Sequence, residues 1–153
     1  FVPIGGGGLA SGVGTWLKAK SPATRLIGVE PEGAASMRAA FNAGRPVPLE
    51  EMDTFVDGAA VRCAGELTYK ICREVLDDLI TVPEGSVCTT MLEMYNRNGM
   101  VLEPAGALTI AALRFCQDMI RGKNVCCILS GSNNDVVRMA EIQQRSKDFE
   151  SLA

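Results

Sequence analysis

Four short apolar runs recur along the chain, separated by longer stretches in which apolar and polar residues are mixed. The runs are residues 1–4 (FVPI), 25–30 (RLIGVE), 79–82 (LITV) and 125–129 (VCCIL). Apolar runs of this length are typical of strands that are buried on both faces. We therefore predict four strands that pair in a parallel sheet.

The stretches between these runs carry the signals of helices. In residues 9–20 the apolar residues Leu9, Val13, Trp16 and Leu17 predict one apolar helix face. Glycines that follow the periodic stretches predict helix ends. The predicted helices are residues 9–20, 33–43, 66–77, 86–98, 104–121 and 135–146, and residues 45–60 are predicted to form a loop.

Strands that alternate with helices predict an α/β fold, here a parallel sheet with helices on both faces. A chain of 153 residues is about the size of one domain. We assign residues 1–147 to this domain and residues 148–153 (DFESLA) to a linker that leads toward a further domain.

Composition and charge exclude several classes of function. The net charge is −3, and the charged residues of both signs are interspersed, which argues against nucleic acid and anionic membrane surfaces as partners. No apolar run approaches the roughly 18 residues that a membrane span requires. We therefore expect a cytoplasmic protein that binds a small molecule.

The chain contains no histidine and six cysteines. The lack of histidine excludes Ser-His and Cys-His catalysis and removes the commonest metal ligand. Since no C-x-x-C pair occurs, we predict free thiols in a reducing compartment and no metal site. Catalysis would then rely on lysine, carboxylates, hydroxyls, backbone dipoles or a cofactor.

The most informative segment is the glycine run at residues 5–8, within FVPIGGGGLASGVG. A strand, glycines and a helix in succession predict a phosphate site. The helix N-terminus presents unpaired N–H groups, and glycines let the backbone approach an anion closely. A purely structural tight turn is the alternative.

The same segment also fits a dinucleotide-binding fingerprint. Gly5, Gly7 and Ala10 match G-x-G-x-x-A, and Glu30 ends the next predicted strand, where an acid would bind the ribose. Glu30 is equally suited to end the strand or to cap a helix. An NAD-dependent oxidoreductase with a Rossmann-like loop is therefore the alternative function.

A family resemblance accounts for more of the chain. The segments FVPIGGGGLASGV, IGVEPEGAASM, DGAAVRCAGELTYKICREVLDDLITV, EPAGALTIAAL and CILSGSNND occur in this order. Together they resemble the second half of the catalytic domain of the threonine deaminases (threonine ammonia-lyases), most closely the biosynthetic branch. These are pyridoxal-phosphate enzymes of the tryptophan-synthase-β-like fold, also called fold type II. Serine dehydratases share the same motifs.

The resemblance implies a cofactor site with a role for each matched residue. These residues are Gly5, Gly6, Gly7, Gly8 and Leu9 at the phosphate of pyridoxal 5'-phosphate, Gly58 against its ring and Ser130 at its pyridine nitrogen. A serine hydroxyl there would be a neutral partner, which suits loss of the α-proton followed by β-elimination. Glu103 would either face the cofactor or stabilise a helix N-terminus. The Schiff-base lysine of the family lies upstream of the position of Phe1, so we expect no catalytic residue in this chain and no activity of the chain alone.

The activity implied for the parent enzyme is the conversion of L-threonine, with L-serine as a second possible substrate, to a 2-oxo acid and ammonia. For threonine the product would be 2-oxobutanoate, on the route to isoleucine. The parent would be a homo-oligomer, a dimer or a tetramer, and a regulatory domain would follow Ala153. A ligand-sensing domain without activity is a third interpretation.

Overall fold

The computed structural model describes residues 1–152. The strands are β1 (Val2–Pro3), β2 (Ile27–Pro31) and β3 (Asp78–Val82). The helices are α1 (Gly8–Lys20), α2 (Ser36–Ala43), α3 (Glu66–Val75), α4 (Glu84–Asn98), α5 (Pro104–Leu113), α6 (Gln117–Ile120) and α7 (Met139–Glu150). Single 3₁₀ turns at Glu32–Ala34 and Val136–Arg138 precede α2 and α7.

The strands form a parallel sheet in the order β1-β2-β3. In its register Val2 lies opposite Gly28, and Gly28 lies opposite Leu79. The space beside Gly28 is filled by the side chains of Ile4 and Leu79, which a side chain at this position would meet. All three strands therefore direct their carboxyl ends to one edge of the sheet, as the apolar runs predict.

Helices cover both faces of the sheet, and each face has its own apolar core. On one face Val2, Ile4 and Leu79 pack with residues of α1, α2 and α3. On the other face Val29 and Val82 pack with residues of α4, α5 and α7. This confirms the predicted α/β fold with helices on both faces.

The long connection before α3 has no helix or strand from residue 44 to residue 65, as predicted. Left-handed glycines end two helices, Gly44 after α2 and Gly99 after α4. Such glycines end helices because they adopt positive φ without a steric penalty.

The fourth predicted strand, residues 125–129, is not a strand in the structure. The segment lies beside β1, where Ile128 N–H donates to the Phe1 carbonyl (3.1 Å) and the Phe1 amine donates to the Cys126 carbonyl (2.8 Å). Both hydrogen bonds involve one residue, and β1 is only two residues long. The segment thus lies at the edge of the sheet beside β1, but the pairing is too short to form a regular ladder, and the prediction of a fourth strand is wrong.

Two helix predictions also need correction. The predicted helix 104–121 is divided into α5 and α6, because Cys116 leaves the helical region with φ −133°. In α1, Leu9 and Trp16 are 45% and 63% exposed, whereas Ala10, Ser11 and Gly14 are buried. The fully buried residues of α1 are thus small, which allows close packing on α3, while the predicted residues Val13 and Leu17 pack half-buried against the same core.

The described residues bear on two further expectations. All six cysteines are free, as predicted. Among residues 1–152, no helix has both the length and the apolar character that crossing a membrane would require. The helix α7 continues to Glu150, three residues into the segment assigned to the linker.

The close contact between α1 and α3 can be tested at two glycines of α1. A side chain at Gly14 would meet Val75 and Leu26, whereas a side chain at Gly12 would meet nothing within 4 Å. We expect Gly14→Ala to lower the free energy of unfolding by about 1–3 kcal/mol through overpacking. We expect Gly12→Ala to raise it by about 0.5–1 kcal/mol, because alanine is the better helix former. Urea unfolding of both variants measures the difference, and equal effects would contradict the packing described here.

Candidate cofactor site

Four segments of the chain meet beyond the carboxyl ends of the strands. They are the glycine loop (residues 5–8), the connection around Gly58, the N-terminus of α5 and the segment that contains Ser130. Ligands of parallel α/β sheets bind at this edge. The hydrogen-bond donors and the space that these segments leave at the edge indicate which kind of ligand can bind there.

The glycine loop presents unpaired hydrogen-bond donors. Gly7 (φ +88°) precedes α1, no side chain caps the helix, and its first turn contains no acidic residue. The backbone N–H groups of residues 5–10 donate to no acceptor within residues 1–152. A helix N-terminus with free amides carries a partial positive charge and binds anions. The loop therefore suits a phosphate group.

Space around the loop also suits a ligand. A side chain at Gly8 would meet nothing within 4 Å, and one at Gly6 would approach only Val61, at 4.0 Å. Protein atoms thus leave room at these positions. A purely structural tight turn would not require four glycines, two of which face open space.

The carbonyl side of the loop, in contrast, is held by the protein. Thr68 Oγ1 donates to the Gly6 carbonyl (2.5 Å), and Ser11 N–H donates to the Gly7 carbonyl (2.9 Å). A side chain at Gly7 would lie 2.6 Å from Met37 Cε and 3.0 Å from Thr68 Cβ. The loop is therefore fixed through its acceptors, which leaves its donors free.

The connection around Gly58 lies against the glycine loop and α5. A side chain at Gly5 would come within 3.0 Å of Ala59 Cα, so the two backbones are in direct contact. A side chain at Gly58 would approach Ala105 Cβ to 2.9 Å and Glu103 Oε1 to 3.2 Å. The structure therefore brings Gly58 and Ala59 to the edge where the glycine loop and Glu103 lie.

The segment that contains Ser130 is fixed by contacts to the next residue, Gly131. Glu103 N–H donates to the Gly131 carbonyl (3.1 Å), and the Glu103 carboxyl group occupies the space that a side chain at Gly131 would need. Gly106 also lies against the Gly131 backbone. Ser130 itself is exposed at this edge, and within the described part of the chain its hydroxyl has no hydrogen-bond partner.

Glu103 precedes α5, but its side chain makes no capping hydrogen bond. Its half-buried carboxyl group lies between Gly58 and Gly131 instead. Of the two roles considered for Glu103, the geometry favours the one directed at the site. Sequence reasoning missed Thr68, Gly106 and Gly131, although the glycine of LSGSN was a visible signal for the last of these.

Glu30 has a different role from the one that a dinucleotide site requires. Its side chain is fully buried, and its two carboxylate oxygens accept from Met37 N–H (2.7 Å) and Arg38 N–H (2.8 Å). It therefore caps α2, and no ribose hydroxyl can reach it. The dinucleotide interpretation of the glycine loop is wrong, because the acid that it needs is occupied inside the protein.

Burial has a strong effect on the Glu30 carboxyl group. Desolvation raises its pKa to about 7, and the hydrogen bonds from α2 and the charge of Arg38 only partly oppose this rise.

No group of three or more His, Cys, Asp or Glu side chains suited to a metal ion occurs in the range 1–152.

The fold and the site define a class of protein. This is a parallel α/β domain whose glycine loop suits an anionic small molecule, without a free acid for a ribose and without histidine. Comparisons with known proteins identify the family within this class.

The family described as "Pyridoxal-phosphate dependent enzyme" matches residues 1–131. The chain belongs to this family, and pyridoxal phosphate is the cofactor of the family. Among curated proteins, it is 53% identical over 152 residues to "L-threonine dehydratase biosynthetic IlvA" of Halalkalibacterium halodurans and 55% identical to that of Bacillus subtilis. These alignments cover 99% of this chain but 37% and 36% of the relatives. The chain thus spans about a third of their length.

Solved structures agree with this assignment. The processed form of threonine deaminase isoform 2 from Solanum lycopersicum superposes with a TM-score of 0.88 at 36% identity, over 95% of this chain and 43% of that one. Maize serine racemase superposes with a TM-score of 0.83 at 31% identity, over 94% and 46%. The predicted family and fold type are confirmed.

The buried carboxyl group gives a test of the role of Glu30. Because its pKa is raised in the folded state from 4.5 to about 7, its contribution to stability is fully present below pH 4.5 and is lost as the pH rises to about 7. Since one pKa unit corresponds to about 1.36 kcal/mol, the free energy of unfolding falls by roughly 3 kcal/mol over this range. We expect the stability of the unmodified protein to fall by about this amount relative to Glu30→Gln over this pH range. Urea unfolding across the range measures it.

The control for this experiment is Glu93→Gln, at a half-exposed glutamate of α4 that pairs with the exposed Arg97. Exposed ion pairs contribute little to stability, so this variant should follow the unmodified protein closely. A stability difference between the unmodified protein and Glu30→Gln that stays constant with pH would show that Glu30 is not a buried acid.

Proposed function

We propose that this chain is part of the catalytic domain of a pyridoxal-phosphate-dependent threonine ammonia-lyase. The complete enzyme would convert L-threonine to 2-oxobutanoate and ammonia, for isoleucine biosynthesis. The observation that carries the proposal is the set of unpaired amides on the glycine loop, in a chain that is more than half identical to two biosynthetic threonine dehydratases. The same relatives favour threonine over serine as the preferred substrate.

The residues at the sheet edge have separate tasks in this proposal. The N–H groups of Gly5, Gly6, Gly7, Gly8 and Leu9 bind the cofactor phosphate. Gly58 lies against the cofactor ring, where its lack of a side chain leaves room beside Glu103 and Ala105. When bound, the cofactor supplies an electron sink for the charge that develops at the α-carbon of the substrate.

Ser130 is proposed to donate or accept a hydrogen bond at the pyridine nitrogen of the cofactor. Its exposed position, next to a glycine held by Glu103 and Gly106, supports this role. A hydroxyl group is neutral and does not hold that nitrogen protonated. Ser130 would therefore moderate the electron demand of the ring, which favours elimination of the β-hydroxyl group.

Assembly and location are part of the same proposal. We propose a homo-oligomeric enzyme of the cytoplasm, where the six free cysteines would remain reduced.

The phosphate-binding role of the glycine loop can be tested at Gly7, with Gly44 as a matched control. Both residues have positive φ, at +88° and +71°, so an alanine at either position is strained by about 1–2 kcal/mol. Only Gly7 lies in the loop, and a side chain at Gly44 would meet nothing within 4 Å. We expect both variants to lose stability but only Gly7→Ala to lose cofactor affinity, by at least about tenfold. Titration of each complete enzyme with pyridoxal phosphate measures this, and equal affinities would refute the phosphate role.

The activity is tested by incubating the complete enzyme with L-threonine and measuring 2-oxobutanoate and ammonia. We expect Ser130→Ala to lower kcat by roughly 5- to 150-fold, which corresponds to the 1–3 kcal/mol of a lost hydrogen bond. Cofactor content should stay unchanged, since the phosphate is bound elsewhere. An unchanged kcat in a fully loaded variant would remove Ser130 from the mechanism, and an unmodified enzyme without 2-oxobutanoate formation would refute the proposed activity.

A further inference from the structure

The segment of residues 53–59, here called the ring loop, is part of the long connection without helix or strand. It nevertheless contributes buried side chains to the core, namely Phe55, Val56 and Ala59. At one end it carries Gly58 and Ala59, which contact Glu103 and Gly5 of the candidate site. The ring loop belongs to no helix or strand. One backbone hydrogen bond, from Asp53 N–H to the Gly33 carbonyl (2.9 Å), ties its start to the segment before α2, and side chains supply the further contacts described next.

Two arginines from the C-terminal part of the chain supply these contacts. The guanidinium group of Arg145 lies over the Phe55 ring, 4.5 Å from the ring centroid, and that of Arg138 lies over the same ring at 4.8 Å. A cation over an aromatic face is attracted by the quadrupole of the ring. Phe55 is only 3% exposed, and the side chains of Arg138 and Arg145 are 23% and 32% exposed, so the arginines cover the ring while staying in partial contact with solvent.

Each arginine also binds the ring loop by polar contacts. Arg145 Nη1 donates to Asp53 Oδ2 at 2.7 Å, and Arg138 Nη2 donates to the Phe55 carbonyl at 2.6 Å. Arg138 Nη1 also lies 3.4 Å from Asp57 Oδ2. The ring loop is therefore held at its backbone, at its aromatic ring and at two carboxylates.

Both arginines belong to the same continuous segment of the chain. Arg145 belongs to α7 and Arg138 to the 3₁₀ turn just before it, seven residues earlier. Glu141 accepts from Arg145 Nε (2.9 Å), which fixes the guanidinium plane while Nη1 binds Asp53. This planar arrangement uses several donors at once, and a lysine ammonium group cannot reproduce it.

We infer that Arg138 and Arg145 are positioning residues, which hold the ring loop so that Gly58 lies at the correct distance from the cofactor ring. The inference rests on the proposed function, because it takes Gly58 to face that ring. The arginines act through the residues of the ring loop that they contact. Arg145 contacts Asp53 and Phe55, and Arg138 contacts Phe55 and Asp57, which directly precedes Gly58.

The test compares the complete unmodified enzyme with Arg145→Met, which removes the charge and the planar group but keeps an unbranched side chain. Two quantities are measured, amide hydrogen exchange across residues 54–60 and the visible circular dichroism of bound pyridoxal phosphate. We expect exchange in this segment to become about tenfold faster and the cofactor signal to change. Arg145→Lys should recover part of both effects, since it keeps the ion pair with Asp53. Arg138→Met, on the same ring, should act in the same direction and serves if Arg145→Met does not fold.

The matched control is Arg114→Met. Arg114 lies over the ring of Phe149, 5.6 Å from its centroid, so it makes the same kind of contact to α7 without touching the ring loop. It should leave both measurements unchanged. Unchanged exchange in residues 54–60 of folded Arg145→Met and Arg138→Met would overturn the inference, as would faster exchange with an unaltered cofactor signal. An unmodified enzyme that binds no pyridoxal phosphate would instead refute the proposed function, before any variant is compared.

Discussion

The unpaired N–H groups at the start of α1 are the constraint on which the rest of the site depends. A side chain that capped this helix would stabilise it, but it would also occupy the donors that an anionic ligand needs. The residue before the helix is therefore Gly7, and the first turn contains no acid. The loop is fixed through its carbonyl groups instead, by Thr68 and by the helix itself. The carbonyl groups of the loop are hydrogen-bonded within the protein and make it rigid, whereas its N–H groups stay unpaired and available.

The same constraint explains why small residues surround the site. Segments that converge beyond a parallel sheet must bring their backbones close together to enclose a small ligand. Gly5 does so with Ala59, and Gly106 does so with Gly131, where an added side chain would meet the opposing backbone. The carboxyl group of Glu103 fills the space that remains between two of these segments. The glycines therefore serve two purposes: Gly6 and Gly8 leave open space at the site, whereas Gly5, Gly106 and Gly131 allow close contact with neighbouring segments.

Much of the fold could be predicted from the sequence, since long apolar periodicities and terminal glycines are local signals. The buried face of α1 was predicted only in part. Val13 and Leu17 pack against the core and Leu9 and Trp16 are exposed, because close packing at Gly14 selects small residues, which a search for large apolar side chains passes over. Residues 125–129 have the composition of a strand, but regular pairing depends on the length of the neighbouring strand. Arg145 and Asp53 are 92 positions apart, so no local pattern reveals their contact. The glycine loop could be found because four consecutive glycines are an unusual local sequence, whereas the role of Glu30 depends on its burial, which no local pattern shows.

The site lies where the two cores of the molecule meet. The glycine loop belongs to the face covered by α1, α2 and α3, and Glu30 contributes there because it caps α2, whose Met37 packs on Gly7. The ring loop and the segment before Gly131 belong to the other face, covered by α4, α5 and α7. A ligand bound between them would contact both cores at once. Because protein interiors are closely packed and transmit displacements, a change in either core would alter the distance between the unpaired amides of the glycine loop and Gly58. The geometry of the site is therefore a property of the whole sheet and of the helices on both its faces.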